Sequence, residues 1–152
     1  MGSQKKVLVL IANGTEEMEA VISIDILRRA QIEVLVAGVE VDEFATCNRG
    51  VNIKPDLIIK DFSSLDASAY DAIIIPGGLK GAETISSNAG VQSLLSSAYK
   101  SGKIIAAICA GPFAIKAAGI NKGGKITSYQ TFKEELENGY VYVALFFITF
   151  KI

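Results

Sequence analysis

The 152-residue chain contains no histidine. Catalytic triads of the Ser-His-Asp or Cys-His type use an imidazole to carry protons near neutral pH, so this sequence has access to neither. The common imidazole-based zinc sites are excluded with them. Cysteine is scarce. Cys47 and Cys109 lie far apart and match neither a disulfide framework nor a paired-cysteine zinc pattern, which points to a reducing, intracellular setting. An excess of either charge is also lacking: 15 basic and 16 acidic residues leave a net charge of -1. That balance gives no strong signal for nucleic acid or an anionic membrane and favours a small neutral or polar ligand. No signal-peptide apolar region precedes the first strand, and Lys6 stands where a myristoylation motif has Ser or Thr. The expected location is the cytoplasm.

What the chain does have is a recurring unit. Lys5 to Ala12 (KKVLVLIA) is a short apolar run rich in branched residues, followed by Asn13-Gly14 and by apolar spacing of helical period from Thr15 to Ala30. Glu33 to Val39, Asp71 to Ile75 and Lys103 to Ile108 repeat the strand signal as nearly continuous apolar runs, as expected of strands covered on both faces. Helices are predicted at Asn88 to Lys100 with Asn88 as cap, at Ala110 to Ala118, and near Phe132 to Glu137. Weaker strand signals at Val51 to Ile53, Leu57 to Ile59 and Lys125 to Thr127 fill out the sheet or an edge hairpin. The pattern predicts an α/β protein, a mostly parallel sheet with helices on both faces, organised as one domain over residues 1–152.

In such sheets functional groups gather at the carboxyl ends of strands. Asn13 to Glu19, Pro76-Gly77-Gly78 and Cys109 to Pro112 all hold that position. Cys109 sits where a strand gives way directly to a helix, with Ala110 and Gly111 small enough for a sharp turn and Pro112 suited to a first helical turn. A sulfur there faces the positive end of the helix dipole, and lowering its pKa from roughly 8.5 to about 5.5 would stabilise the thiolate by about 4 kcal/mol. The competing reading is a small buried hydrophobe at a strand end. Local sequence leaves both open.

Without histidine, the proton-handling partner is a carboxyl, lysine, tyrosine or water. Glu16, Glu17 and Glu19 occupy the first helical turns after the first strand, where acids favour the dipole and Asn13 with Glu16 has the spacing of a capping box. Glu19 differs because Ile22 and Ile26 lie three and seven residues on, along an apolar stripe. A half-buried carboxyl there would have a raised pKa and keep its proton. Glu17 has apolar neighbours too, so periodicity does not separate the two. Pro76-Gly77-Gly78 permits close backbone approach and aims N–H groups toward a developing oxyanion.

The pieces VLVLIANGTEEMEA, DILRRAQIEVLVAGV, CNRGVNIKPD, YDAIIIPGG and IIAAICAGP, in this order, resemble the ThiJ/PfpI superfamily, in particular its parkinsonism-associated deglycase branch. The resemblance runs from about Lys5 to Tyr142. It implies a flavodoxin-like three-layer α/β/α sandwich of the class I glutamine amidotransferase-like kind, forming a homodimer, with nuclear and mitochondrial pools beside the cytoplasmic one. It makes Cys109 the nucleophilic, redox-sensing cysteine and Glu19 the protonated glutamate that contacts it. Gly77, Gly78, Ala110 and Tyr129 then line the pocket and its oxyanion site, and Cys47 and Arg49 correspond to a dimer-proximal, redox-related pair.

Two departures matter. Many relatives carry a histidine near the cysteine after a K-V-T-T-like strand, whereas K-I-T-S is here followed by Tyr129, whose phenol does not shuttle protons readily near pH 7. Ala110 stands where the PfpI-like proteases have histidine, which argues against peptidase chemistry. The second departure is Tyr140 to Phe150 (YVYVALFFITF), an apolar, strand-prone run too short to span a bilayer. It ends where relatives continue through a strand and helices, so the family's elements after about residue 142 are expected to be missing, as in a truncated or alternatively spliced product. The resemblance implies a glyoxalase or deglycase acting on methylglyoxal, glyoxal and their early adducts, with no metal or organic cofactor. Its alternative is a non-enzymatic redox sensor and chaperone-like protein acting through oxidation of Cys109.

Overall fold

The computed structural model describes residues 4–62 and 65–144. Its centre is a five-stranded sheet built from β1 (Lys6–Ile11), β2 (Glu33–Gly38), β5 (Leu57–Ile58), β6 (Ala72–Ile75) and β7 (Ile104–Ala107). The strand order is β5-β2-β1-β6-β7, and every neighbouring pair is parallel. This is the parallel α/β architecture expected from the alternation of apolar runs and helical spacings, and the flavodoxin-like sandwich that the family resemblance implies. The order reverses between β1 and β6, and loops leaving the carboxyl ends of these two strands diverge to open a crevice.

Side-chain alternation along β1 divides the core in two. Val7, Val9 and Ile11 face α1 (Glu17–Arg29), where they meet Ala20 and Ile24 together with Val34 and Val36 of β2. Leu8 and Leu10 face the other way. There they join Ile73, Ile75 and Ile105 against Ile85 of α2 (Leu79–Ser87), Leu94 and Leu95 of α3 (Ala89–Lys100), and Ala114 and Ile115 of α4 (Pro112–Ala117). Full burial of one such aliphatic side chain stabilises the fold by roughly 2 kcal/mol. Both faces of β1 are used, which is why its sequence reads as an unbroken apolar run.

Asn88 caps α3, its side-chain oxygen accepting from the Val91 N–H at 3.0 Å. The first helix starts later than the capping-box spacing predicts. Glu16 is the cap, and its carboxylate accepts the Glu19 N–H at 2.8 Å, while the Asn13 side chain turns outward to accept from the Thr46 N–H at 2.9 Å. Helix α2 has no counterpart among the predicted helices. Its sequence, LKGAETISS, contains a glycine and two β-branched residues and is a weak helix former. It forms through packing: a Cβ at Gly81 would lie 2.6 Å from the Thr15 nitrogen, so the absence of a side chain lets α2 close on the turn after β1.

The weak strand signals divide. β3 (Ala45–Thr46) and β4 (Asn52–Ile53) form a small antiparallel hairpin, and β5 joins the main sheet at its edge. β8 (Lys125–Ile126) pairs in parallel with β9 (Val141–Tyr142) in a separate two-stranded sheet, beside the short helix α5 (Lys133–Glu137). The apolar run Tyr140 to Phe150 is described only through Ala144; the remainder lies outside the described residues. No helix among the described residues is long and apolar enough to cross a membrane.

The stripe formed by Ile22 and Ile26 is 55% and 59% exposed, contrary to the expectation that it would bury Glu19. The buried face of α1 carries Glu17, Ala20 and Ile24 instead. Apolar residues occupy both faces of this helix, so periodicity alone did not tell which one meets the sheet.

Candidate active site

Three loops converge at the crevice beside β1, β6 and β7. The first is the turn into α1. Its Glu16 N–H donates to the Gly77 carbonyl at 2.9 Å, and the Asn48 N–H donates to the Thr15 carbonyl at 2.9 Å. The second is Pro76-Gly77-Gly78, whose close approach is obligatory: a Cβ on Gly78 would collide with the Gly14 carbonyl oxygen, and Gly78 has φ +84°. The third is the junction from β7 to α4, where Cys109 takes φ +58°.

A left-handed backbone at a non-glycine residue costs about 1–2 kcal/mol and persists only where its surroundings hold it. Here the Ile108 N–H continues the ladder to Ile75 O at 3.3 Å, the Gly111 N–H closes a turn onto Ile108 O at 2.8 Å, and the Tyr129 N–H donates to Cys109 O at 3.0 Å. Gly111 has no room for a side chain, since its Cβ would meet the Ile75 carbonyl oxygen. This sharp strand-to-helix turn matches the expected elbow and lifts the Cys109 side chain out of the sheet, leaving it partly exposed.

The sulfur lies against Glu19, and the N–H groups of Gly78 and Ala110 are near enough to act on its ionisation. The Glu19 carboxylate in turn accepts the Gly77 N–H at 2.6 Å. Gly77 forms the third wall: a Cβ there would lie 2.6 Å from both Cys109 Cβ and Glu19 Oε2 and 3.0 Å from Cys109 Sγ. Sequence positions 19, 77, 78, 109 and 110 are therefore brought into one place. Thr15, fully buried with its hydroxyl accepting from the Ala12 N–H at 2.9 Å, is a supporting residue that the sequence reading passed over. Its signal was the run of small residues at Gly77, Gly78 and Gly81, which marks a close backbone approach.

Burial raises the Glu19 pKa from its ordinary 4.5, against the Gly77 N–H, which lowers it, while the neighbouring Glu16 charge raises it further. Cys109 does not show the depressed pKa expected from the helix terminus alone. Burial and then the Glu19 charge push its thiol up, and the Gly78 and Ala110 N–H groups pull it back only in part. α4 is a short helix, and its dipole is outweighed by a carboxylate in contact with the sulfur. A proton on Glu19 removes the repulsion and turns the carboxyl into a donor toward the sulfur.

Cys47 and Arg49 sit apart from this pocket in the segment after β3. Cys47 is 5% exposed, its Sγ lies 3.8 Å from Ala45 O, and burial followed by the charges of Glu17 and Glu16 pushes its thiol up to about 11. The Arg49 N–H donates to Glu17 Oε1 at 2.7 Å. Among the described residues no group of three His, Cys, Asp or Glu side chains is placed to hold a metal ion.

A parallel α/β sandwich with a cysteine on a strained strand-to-helix elbow and a carboxyl against its sulfur defines a class of proteins. The DJ-1/PfpI family profile matches residues 5–149, and the chain belongs to that family. It is 41% identical to protein dj-1beta of Drosophila melanogaster over 139 residues, covering 91% of this chain and 73% of the fly protein. The crystal structure of Drosophila melanogaster DJ-1beta superposes with a TM-score of 0.85 at 41% identity, covering 92% of this chain and 74% of that one. The glutathione-independent glyoxalase DJR-1.2 of Caenorhabditis elegans is 36% identical over 145 residues, covering 94% of this chain and 75% of the nematode protein.

The raised Glu19 pKa has a sign that stability measurements read. The native state holds this proton more tightly than the unfolded chain, so the fold loses stability as pH rises from about 4.5 through the raised value. Glu19→Gln is expected to raise the thermal midpoint at pH 7.5, with the gain shrinking toward zero by pH 4. A gain independent of pH would show that Glu19 carries no such penalty.

Proposed function

We propose that the protein is a cysteine-dependent glyoxalase or deglycase acting on methylglyoxal, glyoxal and their early adducts. The observation that carries this reading is the contact of Cys109 with Glu19 beneath the N–H groups of Gly78 and Ala110. The glyoxalase name of the nematode relative supports it. In this reaction the Cys109 thiol passes its proton to the Glu19 carboxylate as the sulfur attacks the aldehyde carbon of methylglyoxal. The alkoxide that forms is held by backbone N–H groups near Gly78 and takes the Glu19 proton, giving a hemithioacetal. Glu19, now a carboxylate, removes the proton from the former aldehyde carbon and returns it to the neighbouring carbon, while the hydroxyl proton passes from the first oxygen to the second, so that the first becomes a carbonyl. The resulting thioester is hydrolysed by water to lactate, which frees the sulfur. Following lactate formation from methylglyoxal tests the reading: Cys109→Ser is expected to lose at least a hundredfold in kcat/KM, and activity unchanged in that variant would overturn it.

The same site supports a second reading, a redox sensor with chaperone-like behaviour. Cys109 is partly exposed while Cys47 is buried with its thiol held protonated. Two equivalents of peroxide convert the Cys109 thiol to a sulfinic acid and release two waters, and a protonated Glu19 donates to the oxidised sulfur. Mass spectrometry after mild peroxide is expected to find the added oxygens on Cys109 before Cys47; equal oxidation of both removes the basis for a sensor.

We further infer a homodimer that buries the outer face of α1, where Met18, Ile22 and Ile26 form an exposed apolar stripe. Sedimentation of Ile22→Asp is expected to shift the species toward monomer relative to the parent chain. An unchanged distribution would place the interface elsewhere.

A further inference from the structure

The Cys109 sulfur is closed on one side. Gly77, Glu19 and the N–H groups of Gly78 and Ala110 occupy that wall, and a carbon added at Gly77 would already stand 3.0 Å from Sγ. The substituent of any electrophile attacked by this sulfur therefore extends away from the wall. The other element bonded directly to Cys109 is the segment after β8, whose Tyr129 N–H donates to the Cys109 carbonyl.

That segment carries a large ring where burial does not require one. Tyr129 is 61% exposed. Its ring is nonetheless fixed, edge-on to Phe132 with centroids 5.9 Å apart and planes at 60°. Phe132 packs in the same manner on Phe113, at 4.8 Å and 61°. Phe113 lies in the first turn of α4, four residues beyond Cys109, and packs against the core. The backbone of Cys109 is thus joined to a segment whose three-ring row is anchored at one end in the core and open to solvent at the other. A preorganised ring attracts a second flat ring through dispersion and quadrupole terms, with little ordering cost, and attracts a methyl group far less.

We propose that Tyr129, backed by Phe132, is a specificity-determining ledge that favours electrophiles bearing an aryl substituent, such as aryl-substituted 2-oxoaldehydes, over their methyl counterparts. The inference rests on Cys109 as the nucleophile of the proposed reaction and concerns the class of carbonyl compound that this same site prefers.

Two paired measurements test it. The first compares kcat/KM for phenylglyoxal, followed as mandelate, with that for methylglyoxal, followed as lactate. The second compares the rates at which N-phenyliodoacetamide and iodoacetamide alkylate Cys109, a step in which sulfur displaces iodide, the new S–C bond replaces the C–I bond and the thiol proton passes to solvent. The aryl-to-alkyl ratio, divided by the same ratio for a free thiol in the alkylation pair, is expected to fall about fivefold in Tyr129→Ala. Tyr129→Phe is expected to retain it. A ratio that Tyr129→Ala leaves unchanged in both pairs overturns the ledge. If neither glyoxal is turned over, the proposed reaction falls, and the alkylation ratio alone decides for or against the ledge.

Discussion

A carboxyl and a thiol share one half-buried space, with the backbone of Gly77 as the third wall. This contact is the constraint around which the rest of the site is arranged. Charge on both groups at once is opposed by burial and by mutual repulsion, which raise both pKa values. Covalent chemistry at a carbonyl needs a nucleophilic sulfur and an acid within reach, and a proton handed from one of these groups to the other would supply both. In the proposed reaction of this chain without histidine, the pairing takes the place of the imidazole that a Cys-His site would use.

The contact depends on architecture. Glu19 comes from the helix after β1, Gly77 and Gly78 from the loop after β6, and Cys109 from the turn after β7, and only the parallel order β1-β6-β7 sets these three carboxyl ends side by side. Holding the left-handed Cys109 requires hydrogen bonds from elements well separated in sequence. The unit of β8, α5 and β9 contributes through the Tyr129 N–H and is itself fastened to α4 and the loop after it: Lys116 Nζ of α4 donates to Glu135 O of α5 at 2.9 Å, and the Tyr140 hydroxyl donates to Ile120 O at 2.7 Å. The unit that lies outside the main sheet is thus tied to the helix that begins just beyond Cys109.

The α1 side of the sheet is covered unevenly. α1 packs over β1 and β2, while Ile104 and Ala106 of β7, which point to the same side of the sheet, remain exposed. Exposed apolar area of this kind marks a face that prefers company over water. It also explains why the hydropathy of α1 misleads: one apolar face meets the sheet, another faces outward, and a period of 3.6 residues is consistent with either.

The strands, the alternation of strand and helix, and the elbow at Cys109 were legible because each is written in local chemistry: β-branched runs, an asparagine cap, and small residues followed by proline. Helix α2 was not, since Gly81 and two β-branched residues argue against a helix until the turn at Thr15 offers a surface that only a glycine lets it reach. Glu19 was legible as one of three acids, but its half-burial comes from Gly77 and Cys109, distant in sequence, and not from the isoleucines along its own helix. The depressed thiol expected from the helix terminus failed for a related reason: local sequence gives the dipole and omits the charge that folding places against the sulfur. By itself the sequence determined the layered α/β class, the absence of imidazole chemistry and the conformationally special position of Cys109, all set by short-range sterics and composition. Only the tertiary structure decided which carboxyl meets the sulfur and which way its pKa moves, because burial and through-space charge depend on neighbours that the chain brings together by folding.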